Sequence, residues 1–198
     1  MKRLRSESGY SLVEIMAATA VLAVLSAFAV PVVSATARGT KLRDQANQIA
    51  DLIGLAKLRA TSEFSRSRLY VDIAAESYVL QVWDVAAGDW RNELAPVTLP
   101  FGIDFGWGAL DTAPPKTQVG DVPKWAAECI DKDDKVIDKT ACIMFNSRGI
   151  PINKLNAPVG GNAFYLTDGA GVRAITVTAT PLIRRWWSSA NAANWVRQ

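Results

Sequence analysis

The sequence predicts an α+β chain: a long N-terminal helix, its first half transmembrane, whose second half packs on a C-terminal antiparallel β-sheet domain. Three observations predict it. Residues 10–33 are apolar on all sides, with Glu14 their only charge. Leu42, Ala46, Ile49, Ile53, Ala56 and Ala60 then recur at helical spacing, one apolar stripe on an otherwise polar segment. After Ser65 the period changes to two, in short runs rich in Val, Tyr, Leu and Trp.

Composition bounds the rest. A chain of 198 residues, 49% apolar, supports one ordinary domain and a separate anchor. Formal net charge is +3; Lys2, Arg3 and Arg5 against Glu7 give the first nine residues +2, so the body is nearly neutral. The absence of histidine excludes Ser-His-Asp and Cys-His catalysis and every His-ligated metal centre. Cys129 and Cys142 are too few for a structural zinc site, and in a chain with an export-like N-terminus they read as one disulfide. No cofactor or metal is expected.

The apolar run comes first. A helix of its length rises roughly 36 Å, slightly more than a hydrocarbon core of about 30 Å. Basic residues precede it, which places the N-terminus in the cytoplasm and the body beyond the inner membrane. A cleaved secretory signal, with Ala35-Thr36-Ala37 as its site, would need a shorter apolar run and gives Glu14 no place. A plain anchor leaves Glu14 costing about 2.5–3.5 kcal/mol at membrane depth.

Lys41, Arg43, Asp44, Asn47, Gln48, Asp51 and Lys57 fall largely off the apolar stripe, so one helix is expected from about Tyr10 to Ser62. Pro31 and Gly39 are the places for a kink or local melting. Beyond it, Arg68–Ile73 and Ser77–Trp83 form a hairpin, and Ala86-Ala87-Gly88-Asp89 is a second turn with Trp90 on the return. Shorter strands are expected near Val97–Leu99, Ile103–Phe105, Cys142–Asn146, Ala163–Thr167, Arg173–Ala179 and Leu182–Trp187, with Ile175 and Val177 facing the helix. Residues 108–141, carrying Pro114-Pro115, Pro123 and a run of Asp and Lys, read as an irregular insertion.

Gly9-Tyr10-Ser11-Leu12-Val13-Glu14 resembles the signal of type IV prepilins and type II secretion pseudopilins: a basic leader ending in glycine, an aromatic residue, a hydroxyl residue, two apolar residues and glutamate. The resemblance implies cleavage between Gly9 and Tyr10 by a prepilin peptidase, methylation of the new Tyr10 amine and retention of the helix. In that family the glutamate pairs with an N-terminal amine during assembly, which gives Glu14 a partner where water is excluded. The implied organisation is a leader at 1–9, a transmembrane and assembly half at 10–33, an amphipathic half at 34–64 and a pilin-like β-domain at 65–198. Residues 163–169 and 173–177 resemble the closing strands of the GspH/FimT group of minor subunits.

Such subunits are structural and not enzymes. The resemblance implies a minor pilin of a type IV pilus or a minor pseudopilin of type II secretion, in a priming or tip complex. Its partners would be other pilin subunits, the peptidase, an inner-membrane assembly platform, and lipid before assembly. Some FimT-type minor pilins also bind DNA through a C-terminal Gly-Arg-x-Arg motif. Here Arg184, Arg185, Trp186, Trp187 and Arg197 supply cations and stacking faces without that glycine or spacing. A final strand with one tryptophan packed and the arginines solvated explains them as well. The acids at 131, 133, 134 and 138 lack the glycine and alternation of a calcium loop.

Overall fold

The computed structural model describes residues 10–118 and 120–198, with backbone alone at 27–36 and 193. The chain divides into two units, residues 1–38 and 39–198. One helix, α1 (Leu12–Ser62), contributes to both.

In the first unit the described side chains of α1 are exposed all round, Leu12, Val13, Met16, Leu22 and Leu25 among them. Its hydroxyl groups turn back on the helix: Thr19 Oγ1 donates to the Ile15 carbonyl at 3.0 Å and Ser26 Oγ to Leu22 at 2.8 Å. Polar groups are thereby satisfied within the segment, as an apolar environment requires. Among the described residues no helix is long and apolar enough to cross a membrane; residues 27–33 of the expected span lie among those with undescribed side chains. The backbone is helical on both sides of Pro31.

The second unit is built from strands β1 (Ser67–Asp72), β2 (Ser77–Asp84), β3 (Asp89–Asn92), β4 (Val97–Thr98), β5 (Asp104–Phe105), β6 (Cys129–Ile130) and β7 (Val136–Ile137). They are followed by β8 (Thr140–Phe145), β9 (Pro151–Ile152), β10 (Asn162–Thr167), β11 (Gly171–Val177), β12 (Ile183–Ser189) and β13 (Ala192–Arg197). All pairings are antiparallel. They make two main sheets, β3-β2-β1-β8-β9 with β4 beside β2, and β13-β12-β11-β10-β5, plus the small β6–β7 hairpin.

The predicted stripe is the helical contribution to the core. Leu42, Ala46, Ile49, Ile53, Ala56 and Ala60 are buried together with Leu69 and Val71 of β1, Ile143 and Phe145 of β8, Phe164 and Leu166 of β10, and Ile175 and Val177 of β11. The two-residue period decides which strand positions join them, since Leu69 pairs across with Leu80 and Ile143, and Val71 with Tyr78 and Ala141. Buried Ser67 donates its hydroxyl to the Ala56 carbonyl, fastening β1 to α1. The helix ends where Phe64 takes positive φ (51°) and the Ser65 N–H reaches back to the Ala60 carbonyl at 3.2 Å.

The first two turns follow their sequence chemistry. Asp72 Oδ1 accepts the Ala75 N–H, and Asp84 Oδ1 those of Ala86 and Ala87 ahead of Gly88 at φ 64°. Residues 108–141 are mostly without regular secondary structure. They contain β6 and β7, and Leu110, Ala113, Ala126, Cys129 and Ile130 are buried. Trp107, Trp125 and Trp195 pack around Tyr165 with Ala163, Ala174 and Trp186 as a second, aromatic cluster. The insertion thus covers the face of the β10–β12 sheet turned away from the first core.

Candidate functional site

The N-terminal site is assembled by the first turn of α1. Ser11 Oγ accepts the Val13 N–H at 3.3 Å, and the Ser11 N–H donates to Glu14 Oε2 at 3.3 Å. This is a variant of the S-x-x-E capping box in which the hydroxyl takes the Val13 N–H, and it satisfies two of the free donors at a helix start. Glu14 also lies in the first turn, where the helix dipole favours a negative charge. Its second oxygen keeps acceptor capacity for a further cation. Tyr10, Glu14, Ile15, Ala18 and Thr19 line one shallow groove. Tyr10 is 85% exposed, so the residue expected to carry the new amine is unencumbered. Gly9 and the rest of the leader lie outside the described residues.

Cys129 and Cys142 form the expected disulfide, joining β6 to β8 with Cα atoms 5.0 Å apart. The Ala127 carbonyl accepts the Cys142 N–H at 2.8 Å, and Thr140 Oγ1 accepts that of Cys129 at 3.0 Å. The bridge therefore closes a junction that hydrogen bonds already define.

The C-terminal basic and aromatic residues are divided by β12. Arg185 faces α1 and donates from Nη1 to Asn47 Oδ1 at 2.9 Å. Trp186, one position on, is buried in the aromatic cluster and donates from Nε1 to Thr176 Oγ1 at 3.0 Å. Trp187 returns to the side of Arg185 and lies 38% exposed over Gly171, where a Cβ would meet its Nε1 at 3.1 Å. Arg197 pairs opposite Trp186 in register, on the face it shares with Arg184. The five candidate residues therefore do not make one surface. Other cations join the Arg185 face instead: Arg173 pairs opposite Trp187, and its basicity is lowered by burial and by nearby Arg43.

Among the described residues, no group of three or more His, Cys, Asp or Glu side chains is placed to hold a metal ion. Asp131 is committed to its own turn. Its Oδ1 accepts the N–H groups of Lys135 at 2.9 Å and Asp133 at 2.8 Å, and these bonds hold its carboxyl below the usual range.

Sequence reasoning passed over Arg68, read only as the start of a strand. It is 3% exposed, with its guanidinium carbon 3.8 Å from the Trp90 ring centroid and 5.4 Å from that of Tyr70. Nothing in a single sequence marks an arginine on the second face of a strand as buried. The cover comes from β3 and from the β6 segment.

Residues 4–30 match the family model described as the prokaryotic N-terminal methylation motif. No curated protein sequence matches the chain. Among solved structures, one of the minor pseudopilin EpsH from the type 2 secretion system of Vibrio cholerae superposes with a TM-score of 0.45 at 10% identity, covering 77% of this chain and 99% of that one. A second structure of EpsH gives 0.44 at 13% identity, over 74% of this chain and 93% of the other.

Proposed function

The chain carries the N-terminal methylation signature of the type IV prepilin and pseudopilin superfamily, and we propose that it is a minor pilin-like structural subunit. In this reading prepilin peptidase cuts between Gly9 and Tyr10 and the Tyr10 amine is methylated. The helix holds the subunit in the inner membrane, N-terminus cytoplasmic and β-domain periplasmic. It then leaves the bilayer to pack among the helices of other subunits in a type IV pilus or type II secretion pseudopilus, in a priming or tip complex.

The observation that carries this reading is Glu14 within the motif, at the start of a helix whose described side chains in the first unit are exposed all round. An apolar surface of that extent needs either lipid or other helices as cover. A carboxylate at its head disfavours lipid and favours a partner that brings a cation. An incoming methylated amine supplies one. The test is incorporation: fibres purified from cells carrying the assembly platform should contain the wild-type subunit and exclude Glu14→Ala.

A second reading is single-stranded DNA capture by the β-domain. Arg173 and Arg185 share a face with exposed Trp187, and Arg43 lies near Arg173 together with Asp44 and Asp168, which is part of the cation and stacking chemistry such binding uses. Against it, Arg184, Trp186 and Arg197 belong to the other face.

A further inference from the structure

Arg68 stands apart from the assembly chemistry. Its neighbours on the outer face of the sheet are fixed by register: Gln81 and Asn92 on one side, Met144 and Ile152 on the other. Nε donates to Gln81 Oε1 at 2.8 Å, and Nη1 to the Ile130 carbonyl at 2.5 Å. Among the described residues Nη2 makes no hydrogen bond and no carboxylate lies within ion-pair distance of the guanidinium. Burial pulls its pKa down to about 9, with Asp89 and Asp131 near enough to offset only part of that. A desolvated cation without a counter-ion is costly. Stacking on Trp90 recovers part of the loss.

A cavity of about 250 Å³ opens beside it. Its walls are mostly apolar, with Ile130, Met144, Ile152, Leu155 and the Cys129–Cys142 bridge, while Glu128, Asn153 and Lys154 are the polar side chains that line it beside Arg68. That volume is below the roughly 300–1,000 Å³ of ordinary small-molecule sites. It suits a single residue, not a nucleotide or an acyl chain. The ligand chemistry is thus an anion joined directly to a short apolar branch, with a polar group that Asn153 and Lys154 can meet. A C-terminal amino acid with an aliphatic side chain has that arrangement, its carboxylate and side chain sharing one Cα.

We propose that the Arg68 cavity captures the aliphatic C-terminal residue of a partner polypeptide, with the carboxylate drawn by the Arg68 and Lys154 cations and the side chain against Met144, Ile152 and Leu155. The proposal is independent of the assembly reading and concerns the β-domain alone.

The test uses the full chain in detergent micelles with labelled methionine and isoleucine methyl groups. N-acetyl-leucine is the probe, with N-acetyl-leucinamide and 4-methylpentanoate as controls. The Met144 and Ile152 methyl signals should move saturably with N-acetyl-leucine. Each control should bind at least tenfold more weakly, the amide for want of charge and the acid for want of the peptide group. Arg68→Gln should lose at least tenfold in affinity. Leu155 is 77% exposed, so Leu155→Asp leaves the core intact and serves if the first variant does not fold. It should weaken binding by a similar factor. No saturable shift, equal response to either control, or unchanged binding in Leu155→Asp would overturn the proposal.

Discussion

Glu14 caps Ser11 at the start of α1: the Ser11 N–H donates to Glu14 Oε2, while Ser11 Oγ accepts the N–H of Val13. The glutamate therefore has a local structural task besides any assembly task, and the two are separable by chemistry. Glutamine also closes a capping box. Glu14→Gln should keep the start of α1 and the membrane-bound level of the protein, yet reduce incorporation into fibres at least tenfold. Immunoblots of sheared fibres against whole membranes give the ratio. A Glu14→Gln subunit that enters fibres normally would reduce Glu14 to a cap.

Tyr78 links the helix to the β1–β2 hairpin. Its hydroxyl sits 2.9 Å from Gln48 Oε1 and 3.0 Å from Gln45 Oε1, on a side chain only 1% exposed. Burial pushes its pKa from 10.0 up to about 12. A raised phenol pKa means the native state binds the proton more tightly, so its stabilisation is complete below pH 10 and is lost as pH rises towards 12. Tyr78→Phe should cost about 1 kcal/mol at neutral pH. It should also flatten the alkaline decline, read from urea midpoints at successive pH values.

The Cys129–Cys142 bridge spans 13 positions. Its removal in a Cys129→Ser/Cys142→Ser variant should cost roughly 3 kcal/mol, largely by freeing the unfolded chain. The urea midpoint should fall and the slope should rise slightly, as the freed unfolded chain exposes more surface. Reduction with dithiothreitol should reproduce the shift in the wild type and leave the variant unaffected.

Arg184 and Arg185 are adjacent in sequence and opposite in space. In a gel shift with single-stranded DNA at several salt concentrations, the structural-subunit reading predicts no complex for the wild type. A complex that weakens as salt rises, is lost in Arg185→Ala and persists in Arg184→Ala would establish the DNA reading instead.

The helix was legible because its periods are long. Six stripe residues from Leu42 to Ala60 named their own buried face, and the alternation at Ile175 and Val177 did the same for β11. Elements of two residues, such as β6, β7 and β9, carry too little pattern to register. The strand β13 was missed because Ala192-Ala193-Asn194 has low strand propensity and is held by its pairing with β12. Arg68 and the aromatic cluster around Tyr165 depend on segments distant in sequence folding over a sheet face. The S-x-x-E spacing of Ser11 and Glu14 is visible in the sequence.

The most direct test of the account is the mass of the mature N-terminus. The protein is isolated from membranes of cells with and without prepilin peptidase, and its N-terminal peptide is sequenced by mass spectrometry. With the peptidase, the chain should begin at N-methylated Tyr10; without it, at Met1. An intact Met1 in both strains, or a start at Arg38 or beyond, would contradict the account.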